Sequence, residues 1–203
     1  MSDNDENKNE CEWFTICDEK NILLEKNENN MYKITFSILS KNNEDTVLNV
    51  IKNGQLFDLL FALNPDVIKN IIVNKDDDCV DHVFITFKNV DDADKDDDAD
   101  KDDDDNKIIN VHFLLKYQFK ENKCIITSKK NQKINHLKNG VENINMKNSL
   151  FISQIKLKAT EKNEKTSMHL IFKLDGKNTS NFTNMYIGLY FKKLFYRFKK
   201  YFE

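Results

Sequence analysis

The amino-acid sequence predicts an α+β fold: a curved antiparallel sheet of about seven strands, two short helices after the first strand, and a long C-terminal helix packed across the sheet. Three observations carry this expectation. In IINVHFLLKYQFK, residues Ile109, Val111, Phe113, Leu115, Tyr117 and Phe119 share one parity, while Asn110, His112, Lys116, Gln118 and Lys120 share the other. That is the period of a strand with one buried face, and only Leu114 is out of step. Alternating runs separated by short polar turns then recur as hairpins. The final nineteen residues, MYIGLYFKKLFYRFKKYFE, switch to a helical period. They gather Ile187, Tyr190, Phe191, Leu194, Phe198, Tyr201 and Phe202 against Lys192, Lys193, Tyr196, Lys199 and Lys200.

In chain order, residues 1 to 30 are mostly Asn, Asp, Glu and Lys, and their composition predicts a polar, mostly disordered N-terminal arm. Two apolar islands interrupt it, one with Trp13, Phe14 and Ile16 and one with Ile22, Leu23 and Leu24, and either can dock as a strand. MYKITFSIL, residues 31 to 39, alternates Tyr32, Ile34, Phe36 and Ile38 with Lys33, Thr35 and Ser37 and forms the first well-patterned strand. Asn42 or Asn43 then caps a helix through EDTVLNVIKN that stops at Gly54. A second helix, QLFDLLFAL, ends at Asn64 and Pro65, the only proline in the chain. VIKNIIVN and VDHVFITFKN read as strands two and three, and the segment from Ile109 with CIITSKK as strands four and five. Phe151, Ser153, Ile155, Leu157 and Ala159 alternate in strand six, and Met168, Leu170, Phe172 and Leu174 in strand seven, around a TEKNEK turn.

Between strands three and four lies a tandem repeat, DADKDD at 92 to 97 and again at 98 to 103, which has nothing to bury and predicts a disordered acidic insertion at 91–107. A calcium loop does not fit it. Counted from Asp92, the sixth position is Asp97 where glycine is needed, and the twelfth is Asp103 where a bidentate Glu is usual.

The chain has 203 residues, 39% hydrophobic and 32% charged, enough for one domain with a core. Its formal net charge of −3 conceals an uneven distribution, because residues 91 to 105 alone hold eleven Asp and two Lys. The rest of the chain is mildly basic, with 30 Lys but a single Arg, Arg197. Scarcity of guanidinium forks argues against sequence-specific nucleic-acid recognition. Cys11, Cys17, Cys79 and Cys124 form no CxxC pair, and His82, His112, His136 and His169 are scattered, so no metal or cofactor is called for. The acidic, polar opening and the lack of a long apolar run predict a soluble, cytoplasmic protein with at most peripheral membrane contact.

Taken together, the strand, helix pair, strand series and closing helix over residues 31 to 203 resemble the helix-grip fold of the START-like superfamily, which includes lipid-transfer, polyketide cyclase and coenzyme-Q-binding members. The segment KITFSILSKNNEDTVLNVIKNGQLFDLLFALNPDVIKNIIV looks like its opening strand, helix pair and second strand, and Tyr186 to Phe202 like its closing helix. The likeness is one of element order without an invariant motif, so it transfers no catalytic residue. It implies a single START-like domain whose sheet and terminal helix enclose an apolar cavity for a lipid or isoprenoid-like molecule. The walls would be Phe113, Leu115, Tyr117, Ile155, Leu157, Leu170, Phe172, Tyr190, Phe191 and Leu194, with Tyr117 and Tyr190 as polar handles. The same residues would also fill a solid core. In that case the chain would be a noncatalytic, cochaperone-like interaction module that docks a protein partner. A third reading makes the terminal helix an interfacial anchor. An enzyme is the weaker expectation, since no Ser, Cys or carboxylate stands in the context of a nucleophile.

Overall fold

Alternation of apolar and polar residues builds one antiparallel sheet, and the two helix-period segments that follow its third strand, together with the last one, supply its second layer. A computed structural model describes residues 12–39, 46–75, 80–88, 109–128, 149–175 and 181–203. The elements are β1 (Trp13–Glu19), β2 (Ile22–Asn27), β3 (Met31–Leu39), α1 (Val47–Lys52), α2 (Leu56–Leu63), β4 (Ile68–Lys75), β5 (Val80–Phe87), β6 (Ile109–Lys120), β7 (Lys123–Ser128), β8 (Ser149–Lys162), β9 (Lys165–Asp175) and α3 (Asn181–Phe202). Their order across the sheet is β1-β2-β3-β9-β8-β7-β6-β5-β4, and a short parallel contact also joins β6 to β8. The expected insertion at 91–107, the capping Asn42 or Asn43, and the start of the N-terminal arm lie outside the described residues.

Among the described residues nine strands are present where about seven were expected, because both N-terminal islands pair. Residues 13–27 form the β1–β2 hairpin, which corrects the expectation of a mostly disordered arm there. Ile22 and Leu24 are fully buried, and that burial offsets the ordering cost that the surrounding polar composition by itself does not cover. The hairpin closes through Lys20 and Asn21, both at positive φ, and Asn163 and Glu164 close β8–β9 in the same way. Such mirror-image two-residue turns match the twist of paired strands. Asn27 shapes the β2–β3 turn, its Oδ1 accepting the Asn29 and Met31 N–H groups at 3.0 Å each.

Among the described residues, α1 is capped by Thr46, whose Oγ1 accepts the Asn49 N–H at 3.3 Å. Gly54, at φ 71°, follows its C-cap as expected. Asn64 ends α2 from a buried position, its Nδ2 donating to the Leu60 carbonyl at 2.8 Å. In β8 the register shifts between Ile152 and Gln154, so the alternation written through Phe151 and Ser153 does not run unbroken into Ile155.

Helix α3 lies against β2, β3 and α2. Phe191, Leu194, Phe195, Phe198 and Phe202 are its buried side, while Tyr201, placed on that side by sequence, is exposed. Lys192 and Lys199, placed on the wet side, are instead buried. Lys192 reaches Cys17 Sγ at 2.6 Å with Glu19 at 3.5 Å, and Lys199 pairs with Glu203 one turn on. The helix approaches the sheet closely at Gly188, where an added Cβ would stand 2.9 Å from two ring atoms of Tyr32. That ring is fully buried and stacked on Phe172 at 5.3 Å, so it has no room to give. Gly188→Ala, ordinarily favourable in a helix, should therefore destabilise the protein by about 1–3 kcal/mol in urea unfolding.

Candidate functional site

The inward face of the sheet can be read from its register. Cross-strand partners in an antiparallel pair point to the same side. Leu24, Ile34, Leu170, Leu157, Ile126 and Tyr117 stand level across six strands from β2 to β6. One step along, Tyr32, Phe172 and Ile155 form the next row. From α3, Phe191 meets Phe172 at 4.7 Å, and Tyr190 stacks on Phe87 of β5 at 5.4 Å. The helix thereby spans from β9 to β5.

Of the expected walls, Leu115, Tyr117, Ile155, Leu157, Leu170, Phe172, Tyr190, Phe191 and Leu194 all belong to this one apolar body. Phe113 sits in β6 opposite Val83, and its side chain lies outside the described set. Closure is uneven. Tyr32, Ile34 and Phe172, on the β3–β9 side, have no exposure at all. Toward the other edge Ile71, Val73, Tyr117, Leu59 and Tyr190 remain half-buried.

Of the polar groups on this face, Asp81 and Tyr32 were not among the expected site residues. Asp81 pairs with Leu115 across β5 and β6, so it points inward with Val83 and Ile85. Burial first, then the neighbouring Asp81 carboxylate, holds the Tyr117 phenol far above its ordinary pKa. The parity of VDHVFITF would have revealed Asp81. Tyr32 is the second: its buried hydroxyl has no hydrogen-bond partner, and burial pushes its pKa up to about 12. Nothing in MYKITFSIL marks it, since partnership is decided by what surrounds the ring.

Other groups hold the site together. Asp66, at the junction of α2 and β4, takes both guanidinium nitrogens of Arg197, one at 2.9 Å, and Lys193 at 3.0 Å. Arg197, first among these, holds the Asp66 carboxyl well below the usual range and latches α3 to that junction. Cys124 lies buried on the inward face, and burial pushes its thiol up to about 11, an unreactive state. Among the described residues, no three His, Cys, Asp or Glu side chains gather to hold a metal ion. No described helix is long and apolar enough to cross a membrane.

Compared with solved structures, the chain is similar over 95% of its length to the human StarD13 (DLC2) lipid transfer and protein localization domain, covering 90% of that chain at 12% identity and a TM-score of 0.62. The chain has a START-like fold. Human StAR-related lipid transfer protein 5 aligns with it at 8% identity and a TM-score of 0.57, over 94% of this chain and 86% of that one. A STAR-related lipid transfer protein fragment from Xanthomonas axonopodis aligns at 9% identity and a TM-score of 0.55, over 93% and 98%. No protein-family model matches the sequence, and no curated protein matches it by sequence. The START-like likeness is thus carried by topology: hairpins around a sheet gripped by a terminal helix.

Proposed function

We propose that the protein binds, and carries, a hydrophobic molecule such as a lipid or isoprenoid between the inward sheet face and α3. The observation that carries this reading is the inward face itself. It is a continuous apolar wall under α3 with a polar pair, Tyr117 and Asp81, set on its less tightly closed side. Such a surface gains about 25 cal/mol per Å² from covering an apolar partner, and one polar pair suffices to orient it. The solved START-like structures named above are described as lipid-transfer proteins, which supports the same reading by analogy of fold.

Full-length protein incubated with a total lipid extract, re-purified and analysed by native mass spectrometry should carry an apolar ligand at one per chain. Leu157→Trp, which adds volume to the wall, should reduce that occupancy several-fold while a thermal melt reports the fold. Absence of any apolar ligand on wild-type protein would overturn the proposal. It would favour instead a filled interaction module, the reading favoured by the complete burial of Tyr32, Ile34 and Phe172.

A further inference from the structure

The charged outward positions of β6, β7 and β8 are, among the described residues, all lysine. Outward positions alternate with the wall residues already placed, so Lys116 and Lys120 of β6, Lys123 of β7, and Lys156, Lys158 and Lys162 of β8 all stand on it. Register sets them out in two dimensions: Lys156 and Lys116 flank Thr127, Lys158 lies beside His169, and Lys123 lies beside Lys120. On β6, β7 and β8 no described outward position is acidic, and on β9 the last residue, Asp175, is the one acid at an outward register position among the described residues. Glu25, out on β2, is taken by Lys33 at 2.8 Å, while Glu121 and Glu164 sit in turns at the rim. Among the described residues, none of the six lysines forms an ion pair. The field is felt locally: burial, then Lys158 and Lys33, holds the His169 imidazole below its ordinary pKa.

We propose that this outward sheet face docks on an anionic lipid bilayer. The chemistry selects that partner over other polyanions. Nucleic acids present lines of phosphate and are read with Arg forks, and the described outward positions of these strands carry no Arg. Acidic peptides fit grooves or strand edges, whereas these charges spread over three neighbouring strands about 4.8 Å apart. A planar array of headgroups matches a planar array of ammonium points, each adding about 1 kcal/mol near such a surface. The face lies opposite the ligand-facing side, so the inference stands whether or not the inner wall holds a lipid.

Flotation of the full chain with phosphatidylcholine vesicles, with and without phosphatidylserine, tests it. Binding should require phosphatidylserine and fall with added salt. The triple variant Lys123→Glu/Lys156→Glu/Lys158→Glu should bind more than a hundredfold more weakly, since each lost lysine costs roughly fivefold. Should that variant melt early, the neutral Lys→Gln triple replaces it, with the same direction and at least a tenfold loss. Lys200→Glu, on the exposed side of α3, should float like wild type. The proposal is overturned if wild type does not float, if a folded triple variant floats unchanged, if Lys200→Glu abolishes binding, or if RNA or polyaspartate retains the protein while vesicles do not.

Discussion

Phe198→Ala should lower the stability of the protein by about 3–5 kcal/mol, read as a shift of the urea midpoint at unchanged slope. Phe198 is fully buried near the C-terminal end of α3, edge-on to Phe195 at 6.2 Å and to Phe202 at 5.1 Å. Truncation to alanine leaves a hole bounded by rings that are themselves pinned, Phe195 against Phe36 at 5.7 Å among them, so the site cannot collapse. Removing residues 181–203 altogether should abolish folding. It deletes five buried side chains, Phe191, Leu194, Phe195, Phe198 and Phe202, at about 2 kcal/mol each. The sum, on the order of 10 kcal/mol, is as large as the whole net stability of an ordinary domain. A truncated chain that still unfolded cooperatively would contradict the helix's role as the second layer.

Acid should destabilise the fold through His112. The ring is buried to 2% exposure on the outward side of β6, stacked on Phe84 at 4.1 Å with His82 at 6.2 Å. Burial first, then His82, pushes its pKa down from 6.5 to about 4. Above pH 6.5 the imidazole is neutral in both folded and unfolded chains and contributes no pH dependence. As pH falls from 6.5 toward 4, the unfolded chain takes up the proton first, so stability declines through this window and the loss is complete below it. The total is on the order of 3 kcal/mol. His112→Phe keeps the stacking surface and removes the proton site, so the difference between wild-type and variant unfolding free energies should change with pH across that window. A constant difference would show that the imidazole is not held neutral.

How far the sequence reached can be judged from such residues. Parity along a strand is a local property, and it placed Leu115, Tyr117, Leu157, Leu170 and Phe172 on one face without any knowledge of their neighbours. It misread Leu114 as an isolated exception and His112 as part of the polar side. In the structure both are buried beside Phe84 on the outward side, because burial there depends on which residues of the neighbouring strand stand next to them. Helical phase likewise placed most of α3 correctly and failed at Lys192 and Lys199. Their amines are taken up by Cys17, Glu19 and Glu203, and the first of these is 175 residues away in sequence. The β1–β2 hairpin was undervalued for the same reason, since average composition registers its many polar residues and misses the complete burial of Ile22 and Leu24.

From the amino-acid order alone came the element series over residues 31 to 203 and the greasy and wet sides of each well-patterned strand, consequences of side chains repeating every two or about 3.6 residues, and that series in turn resembled the START-like arrangement. Only the assembled structure decided that Asp81 meets Tyr117, that Tyr32 is left without a hydrogen-bond partner beneath Gly188, and that the lysines of separate strands converge on one face. Those outcomes depend on registers between strands and on the docking of α3. They are set by packing among segments far apart in the chain, and no periodicity within a single segment encodes that.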